Sequence, residues 1–152
     1  DAIVISDYDK GYINDDDLWN LCHNLNRPVF VDTKKRRLFH KENVFWKINK
    51  KEYDLLDKDH LPNGTHLIVT LGNRGVMWNG LTFQPQVVKV FDVCGAGDTF
   101  LSALVYEFLK TKDMQKSIDL ANRAAAISVT HPGAYYLNKN DIESLYGGEN
   151  ES

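Results

Sequence analysis

Short continuous apolar runs, each followed by a polar loop, recur along the first half of the chain. Ala2-Ile3-Val4-Ile5, Val29-Phe30-Val31, Val44-Phe45-Trp46-Lys47-Ile48 and His66-Leu67-Ile68-Val69-Thr70-Leu71 are runs rather than alternations. That pattern predicts strands of a parallel sheet buried on both faces. Between the first two, Asp15, Asp16 and Asp17 precede Leu18, Leu21, Cys22 and Leu25, the spacing of one helical face with its acids at the favourable N-terminal end. Asn49 can cap a short helix containing Tyr53, Leu55 and Leu56. Asn79-Gly80, flanked by Val76-Met77-Trp78 and Leu81-Thr82-Phe83, predicts a β-hairpin and therefore a mixed sheet. The period then changes. Phe100, Leu101, Leu104, Val105, Phe108 and Leu109 fall at helical spacing. A second helix is expected over about Met114 to Thr130, with a small-residue face of Ala121, Ala124, Ala125 and Ser128, and His131-Pro132-Gly133 stops it. Asn138 to Tyr146 predicts a final short helix, and Gly147 to Ser152 a flexible polar tail.

Strand–helix alternation with polar loops at the strand exits predicts a doubly wound α/β domain over residues 1–146, without repeats or a dividing linker. Composition changes this picture little. A hydrophobic content of 43% and a charged content of 26% are those of an ordinary globular chain, and a net charge of −3 gives no general footprint for nucleic acid. No apolar run approaches membrane-spanning length, and no signal-peptide pattern opens the sequence, so a cytoplasmic location is expected. Cys22 and Cys94 lie in unrelated contexts, and the five histidines have no ligand spacing. Asp1 stands directly before an apolar strand pattern, which suggests the later part of something longer.

The chemistry concentrates in Phe91-Asp92-Val93-Cys94-Gly95-Ala96-Gly97-Asp98-Thr99-Phe100. A tight Gly-Ala-Gly turn opening an apolar helix leaves backbone N–H groups unpaired, and with the helix dipole these form a place for an anion. Asp98, within the first turn, can accept a proton from a substrate hydroxyl while the N–H groups hold phosphate charge. Competing motifs fail: Phe100 stands where a dinucleotide fingerprint needs its third glycine, and there is no Walker A sequence. Without its aspartates, Gly95-Ala96-Gly97 would read as a plain loop-to-helix turn. Lys34-Lys35-Arg36-Arg37 follows a strand exit; such runs are mostly solvated, and at a strand exit they can also attract phosphate.

These residues resemble the ribokinase-like (PfkB) family of carbohydrate kinases, whose signature is Asp-Thr-x-Gly-Ala-Gly-Asp; Val93 stands here in place of the usual Thr. Asp7-Tyr8-Asp9-Lys10-Gly11, Val31-Asp32-Thr33-Lys34, Asn49-Lys50-Lys51-Glu52, Thr70-Leu71-Gly72-Asn73-Arg74-Gly75 and Ala121-Asn122-Arg123-Ala124-Ala125-Ala126 resemble the family's C-terminal half, in the same order. Asp7-Tyr-x-Lys-Gly11 and Asp32-x-Lys34 resemble most the kinases of heptose phosphates on the way to ADP-heptose, with ribokinase-like and fructokinase-like substrates still open. The resemblance implies a three-layer αβα fold with a mostly parallel sheet and a hairpin at one edge. It implies Asp98 as catalytic base, and Gly95, Ala96 and Gly97 as donors to the transferring phosphoryl group. ATP would be bound by Asn49, Glu52, Thr70, Gly72, Gly75 and Asn122, with Asn122 near the adenine. Glu52 would act on Mg²⁺ through water, and Asp92 would help bind a monovalent cation such as K⁺. At that cation site Val93 departs from the signature and Cys94, at its variable position, lacks a hydroxyl. Asp98 and Lys34 would face a sugar or sugar-phosphate substrate.

In the family an earlier half supplies the first strands, most sugar contacts and a β-stranded lid, and none of these is matched here. Weak activity of the chain by itself follows, together with either a partner carrying the N-terminal half or a homo-oligomer formed at the open sheet edge. Standing alone, Asn49 and Glu52 would read as a helix cap and a surface acid, but their register with the other segments favours the family role, and Asn122 reads equally as an ordinary helical polar residue. A non-catalytic nucleotide-binding or assembly module working with a partner chain is the alternative function.

Overall fold

The chain, described over residues 1–147 by a computed structural model, parts into two compact units, Asp1–Thr82 and a second that begins at Phe83. All but the first residue of the expected Gly147-to-Ser152 tail lies outside the described residues.

The first unit carries β1 (Ile3–Asp7), α1 (Asp15–His23), β2 (Val29–Thr33), β3 (Val44–Asn49), α2 (Lys50–Leu55), β4 (His66–Thr70) and the hairpin strand β5 (Val76–Trp78). β6 (Leu81–Phe83) completes a six-stranded sheet in the order β1-β2-β3-β4-β5-β6. The first four strands run parallel, and β4 pairs antiparallel with β5. Asn79 at φ 49° and Gly80 at φ 75° form the turn between β5 and β6, the left-handed pair that a two-residue hairpin requires.

Because successive strands always step to the same side, right-handed crossovers place α1 and α2 on one face. Leu18 and Cys22 of α1, with Leu56 just past α2, pack there against Val29, Val31, Val44, Trp46, Ile48 and Val69. The opposite face carries Phe30, Ile68 and Val76, also buried, which is why the strands read as runs. On that same face Lys47 reaches Asp32 at 2.9 Å across β2 and β3, so the one charged residue inside the third apolar run is paired.

α1 is shorter than its spacing predicted. Asn14, ahead of the acids, is the cap, accepting from Asp17 N–H at 2.8 Å. Lys41 Nζ donates to the carbonyls of Cys22 and Leu25 at the other end. The helix therefore stops at His23; Leu25 joins the core from the chain beyond, and Leu21 is left exposed. No helix joins β2 to β3. Leu38 and Phe39 enter the core instead, and Trp46 Nε1 donates to Phe39 O at 2.9 Å.

The second unit is helical: α3 (Ala96–Thr111), α4 (Met114–Ser128) and α5 (Lys139–Gly147). Lys112 at φ 56° closes α3, and Asp113 caps α4 through Lys116 N–H, so the two helices fold back as a hairpin. Of the small-residue face, Ala121, Ala124 and Ser128 are buried and Ala125 is half-buried. Leu120, Ala124 and Leu145 form a core with Ala103, Ile127 and Leu137, which seats α5.

Trp46 is buried to within 1% and combines a large apolar surface with a satisfied N–H. Trp46→Ala is expected to cost about 3–5 kcal/mol, measured as a shift in urea midpoint; a loss below about 1 kcal/mol would show that the core recloses around the gap.

Candidate functional site

In the second unit the N-terminus of α3 is set by one residue. Gly95 adopts φ 74°, and a Cβ added there would meet the Ala134 Cβ at 3.3 Å. Both the left-handed backbone and the contact require glycine. Ala96 N–H turns back to Val93 O at 3.2 Å and Thr99 N–H bonds Gly95 O at 2.9 Å. Of the three expected donors, Ala96 is thus engaged within the turn. Among the described residues the N–H groups of Gly95, Gly97 and Asp98 have no acceptor, as the first turn of any helix dictates.

Asp98 is exposed beside these donors. It lies at one end of a crevice of about 490 Å³, which continues along α3 past Ser102 and Tyr106 and is walled by Tyr135, Tyr136 and Tyr146. Periodicity identified the buried side of α3 and passed over Ser102 and Tyr106, which stand at i+4 and i+8 from Asp98 on the crevice side. Within it, burial first and a 2.8 Å hydrogen bond to Glu107 second push the Tyr146 phenol above its ordinary range.

Asp92 has a role that the sequence did not disclose. Its Oδ1 accepts from Cys94 N–H and its Oδ2 from Gly133 N–H, both at 2.9 Å. Phe91 N–H and Asp92 N–H both donate to Val129 O. The link between α4 and α5 is thereby tied to the entrance of α3, on the same side as the Gly95–Ala134 contact. Pro132-Gly133 was the available signal, read only as a helix stop. The N–H of Cys94, then that of Gly133, holds the Asp92 carboxyl below the ordinary aspartate value. Asn122 is 8% exposed, and its Nδ2 donates to Phe83 O and Gln84 O at 3.2 and 3.3 Å. It holds Phe83 and Gln84, the opening residues of the second unit, against α4.

In the first unit the parallel strands bring their exits to one edge. Asn49 and Glu52 form a reciprocal capping box: Asn49 Oδ1 accepts from Glu52 N–H at 2.9 Å and Glu52 Oε2 from Asn49 N–H at 2.7 Å. Asn49 lies opposite Thr70 in the β3–β4 register. Just beyond, Gly72 at φ 61° and Gly75 at φ 88° bracket a tight turn closed by Leu71 N–H to Gly75 O at 2.8 Å. Lys34 is exposed past β2, with Nζ 5.5 Å from the centre of the Tyr8 ring.

The sequence pattern of the pfkB family carbohydrate kinases matches residues 39–141. The chain belongs to this family. The bifunctional protein HldE of Campylobacter curvus is 30% identical over 95% of this chain, which spans only 36% of that protein's length. The ribokinase of Thermotoga maritima superposes with a TM-score of 0.78 at 23% identity, over 97% of this chain and 57% of its own. An aminoimidazole riboside kinase from Salmonella enterica, complexed with aminoimidazole riboside and an ATP analogue, gives a TM-score of 0.60 at 19% identity, over 77% of this chain and 51% of its own. As a pfkB-family chain it has the ribokinase-like α/β fold, and the mixed sheet with an edge hairpin agrees with it. Among the described residues no helix is long and apolar enough to cross a membrane.

Because its pKa is depressed in the folded state, Asp92 stabilises the loop junction at pH values above the ordinary aspartate pKa. That contribution is lost as pH falls through the lowered value. A carboxyl-carbon NMR titration is expected to place the Asp92 midpoint below the ordinary aspartate value, and Asp92→Asn to abolish the difference between neutral and acid stability at this junction. A midpoint at or above the ordinary value would remove the two N–H contacts.

Proposed function

We propose that this chain is the nucleotide-binding and catalytic-base portion of a kinase that transfers the γ-phosphoryl group of ATP to a hydroxyl of a sugar or sugar phosphate, a heptose phosphate by preference. The observation that carries this reading is the start of α3, where open N–H groups of Gly95 and Gly97 stand beside the exposed carboxylate of Asp98. Phosphoryl transfer asks little covalent chemistry of a protein, and positioning with electrostatic stabilisation does most of the work. Asp98 takes the proton of the attacking hydroxyl. Gly95 and Gly97, with Ala96 shaping the turn, donate to the oxygens of the group in flight.

At the strand exits of the first unit, Thr70, Gly72 and Gly75 line the nucleotide phosphates and ribose. Asn49 holds Glu52 in place through the capping box, leaving Glu52 Oε1 free to act on Mg²⁺ through water. Bound Mg²⁺ would neutralise phosphate charge. Asn122 orders the segment beside the adenine, through the carbonyls of Phe83 and Gln84. Asp92 shapes the α3 entrance and lies at the family's monovalent-cation position, where K⁺ would add positive charge. Lys34 faces the anionic end of the acceptor. The heptose preference rests on the Asp7-Tyr-x-Lys-Gly11 and Asp32-x-Lys34 motifs and on the likeness to HldE. Residues 1–146 act as the C-terminal part of a cytoplasmic kinase, and efficient turnover draws on a sugar-binding half or a second copy.

Calorimetric titration of the chain with ATP and Mg²⁺ is expected to give saturable one-to-one binding. Asp98→Asn is expected to leave that affinity within about twofold while lowering sugar-dependent ADP release at least 10²-fold, the range of a lost general base. Retention of most of the rate would sink the assignment of the base. Binding without any sugar-dependent turnover, in the presence of the complementary half, would favour a nucleotide-binding assembly module.

A further inference from the structure

The basic run at the β2 exit divides when the chain folds. Lys34 and Arg36 are exposed and Arg37 pairs with Asp57 at 3.0 Å. Lys35 turns inward, its side chain only 10% exposed. Its ammonium lies 2.8 Å from Asp15 Oδ1, 3.8 Å from Asp7 Oδ2 and 3.8 Å from Asp9 Oδ1. These carboxylates belong to the first turn of α1, the end of β1 and the loop between them.

Asp7 is the hub of this arrangement, with its side chain 4% exposed. Its Oδ1 accepts from Asp9 N–H at 3.0 Å and its Oδ2 from the Thr33 hydroxyl at 3.1 Å, while Thr33 Oγ1 accepts from Lys35 N–H at 3.1 Å. The loop bends through Asp9 at φ 53° and Gly11 at φ 82°. The first is a conformation that a non-glycine residue adopts only when its surroundings hold it there. One ammonium faces three carboxylates, so even with Lys35 present the cluster carries an excess of negative charge. Without it, Asp7 would be a buried charge with no counterion, next to two like charges. Hydrogen bonding to Asp15 raises the Lys35 pKa against the opposing effect of burial, and the ammonium stays charged.

We propose that Lys35 is a positioning residue, an internal cation that locks the Asp7–Gly11 loop onto the β2 exit so that Tyr8, Lys10 and Lys34 form one fixed edge facing the acceptor. Lys34 then rests over the Tyr8 ring instead of moving freely, and its charge is presented in one place. The loop-locking part stands on the geometry alone, and the acceptor-facing part rests on the sugar-phosphate reading above.

The test compares the wild-type chain with Lys35→Met, Lys35→Arg and Asp15→Asn. Asp15 is largely exposed, so its substitution removes the shortest ion pair without opening the core. Trypsin cleavage after Lys10, followed by mass spectrometry of the released 1–10 peptide, is expected to accelerate at least tenfold in Lys35→Met and severalfold in Asp15→Asn. Lys35→Arg is expected to return it to within about threefold of wild type. Titration with D-glycero-D-manno-heptose phosphate is expected to weaken about tenfold in Lys35→Met, with ATP–Mg²⁺ affinity unchanged. Unchanged cleavage in a folded Lys35→Met or in Asp15→Asn overturns the proposal, as does equal weakening of both ligands. If the wild-type chain takes up no sugar phosphate while cleavage after Lys10 responds as described, the locked loop stands and the sugar-phosphate reading of the exits fails.

Discussion

A helix cannot satisfy its own first N–H groups, and the way the chain enters α3 decides what those groups do. Entry through a left-handed Gly95 lets Ala96 fold back onto Val93 while Gly97 and Asp98 keep their donors open. The same glycine admits Ala134 to within 3.3 Å of where its Cβ would stand, so the α4–α5 link can close against the turn. Asp92 fixes that closure by accepting from both sides of the junction. Open donors, an exposed carboxylate and a rigid entrance are therefore consequences of a single backbone constraint. Preorganised N–H groups are worth most when nothing has to move to aim them.

The first unit solves a different problem, that of keeping polar strand exits ordered beside an apolar sheet. A parallel sheet with both faces buried brings its carboxyl ends to one edge, and each exit is closed by its own polar device. At β3 it is the Asn49–Glu52 capping box, at β4 the glycine-bracketed turn, and at β1 and β2 the carboxylates gathered by Lys35. Several residues that resemble ligand contacts in the family are thus also structural. Glu52 holds a helix cap and Asn122 holds two carbonyls. Groups already fixed by one oxygen or nitrogen present the remaining one with little entropy left to lose.

The chain by itself determined most of the fold. Apolar runs at the strands, Asn79-Gly80 at the hairpin and the change to helical spacing at Phe100 are local signals, because side-chain alternation, turn conformation and helical period are each set within a few residues. Each appears in the structure close to where it was expected. The Gly-Ala-Gly-Asp turn was readable for the same reason: left-handed entry and unpaired first-turn donors need no distant partner.

Tertiary structure decided which charges turn inward and which bonds are already taken. A family motif marks Lys34 in the basic run, but nothing in the sequence separates Lys35 from Arg36 and Arg37, and only the approach of Asp7, Asp9 and Asp15 from other elements gives it a role. Asp92 meets Gly133 forty-one residues away, and α1 ends early because Lys41 from a later loop reaches its last carbonyls. These contacts join residues far apart in the chain, and their partners are chosen by how strands and helices pack. Local propensity fixes the elements; long-range electrostatics and hydrogen bonding fix what their ends can do.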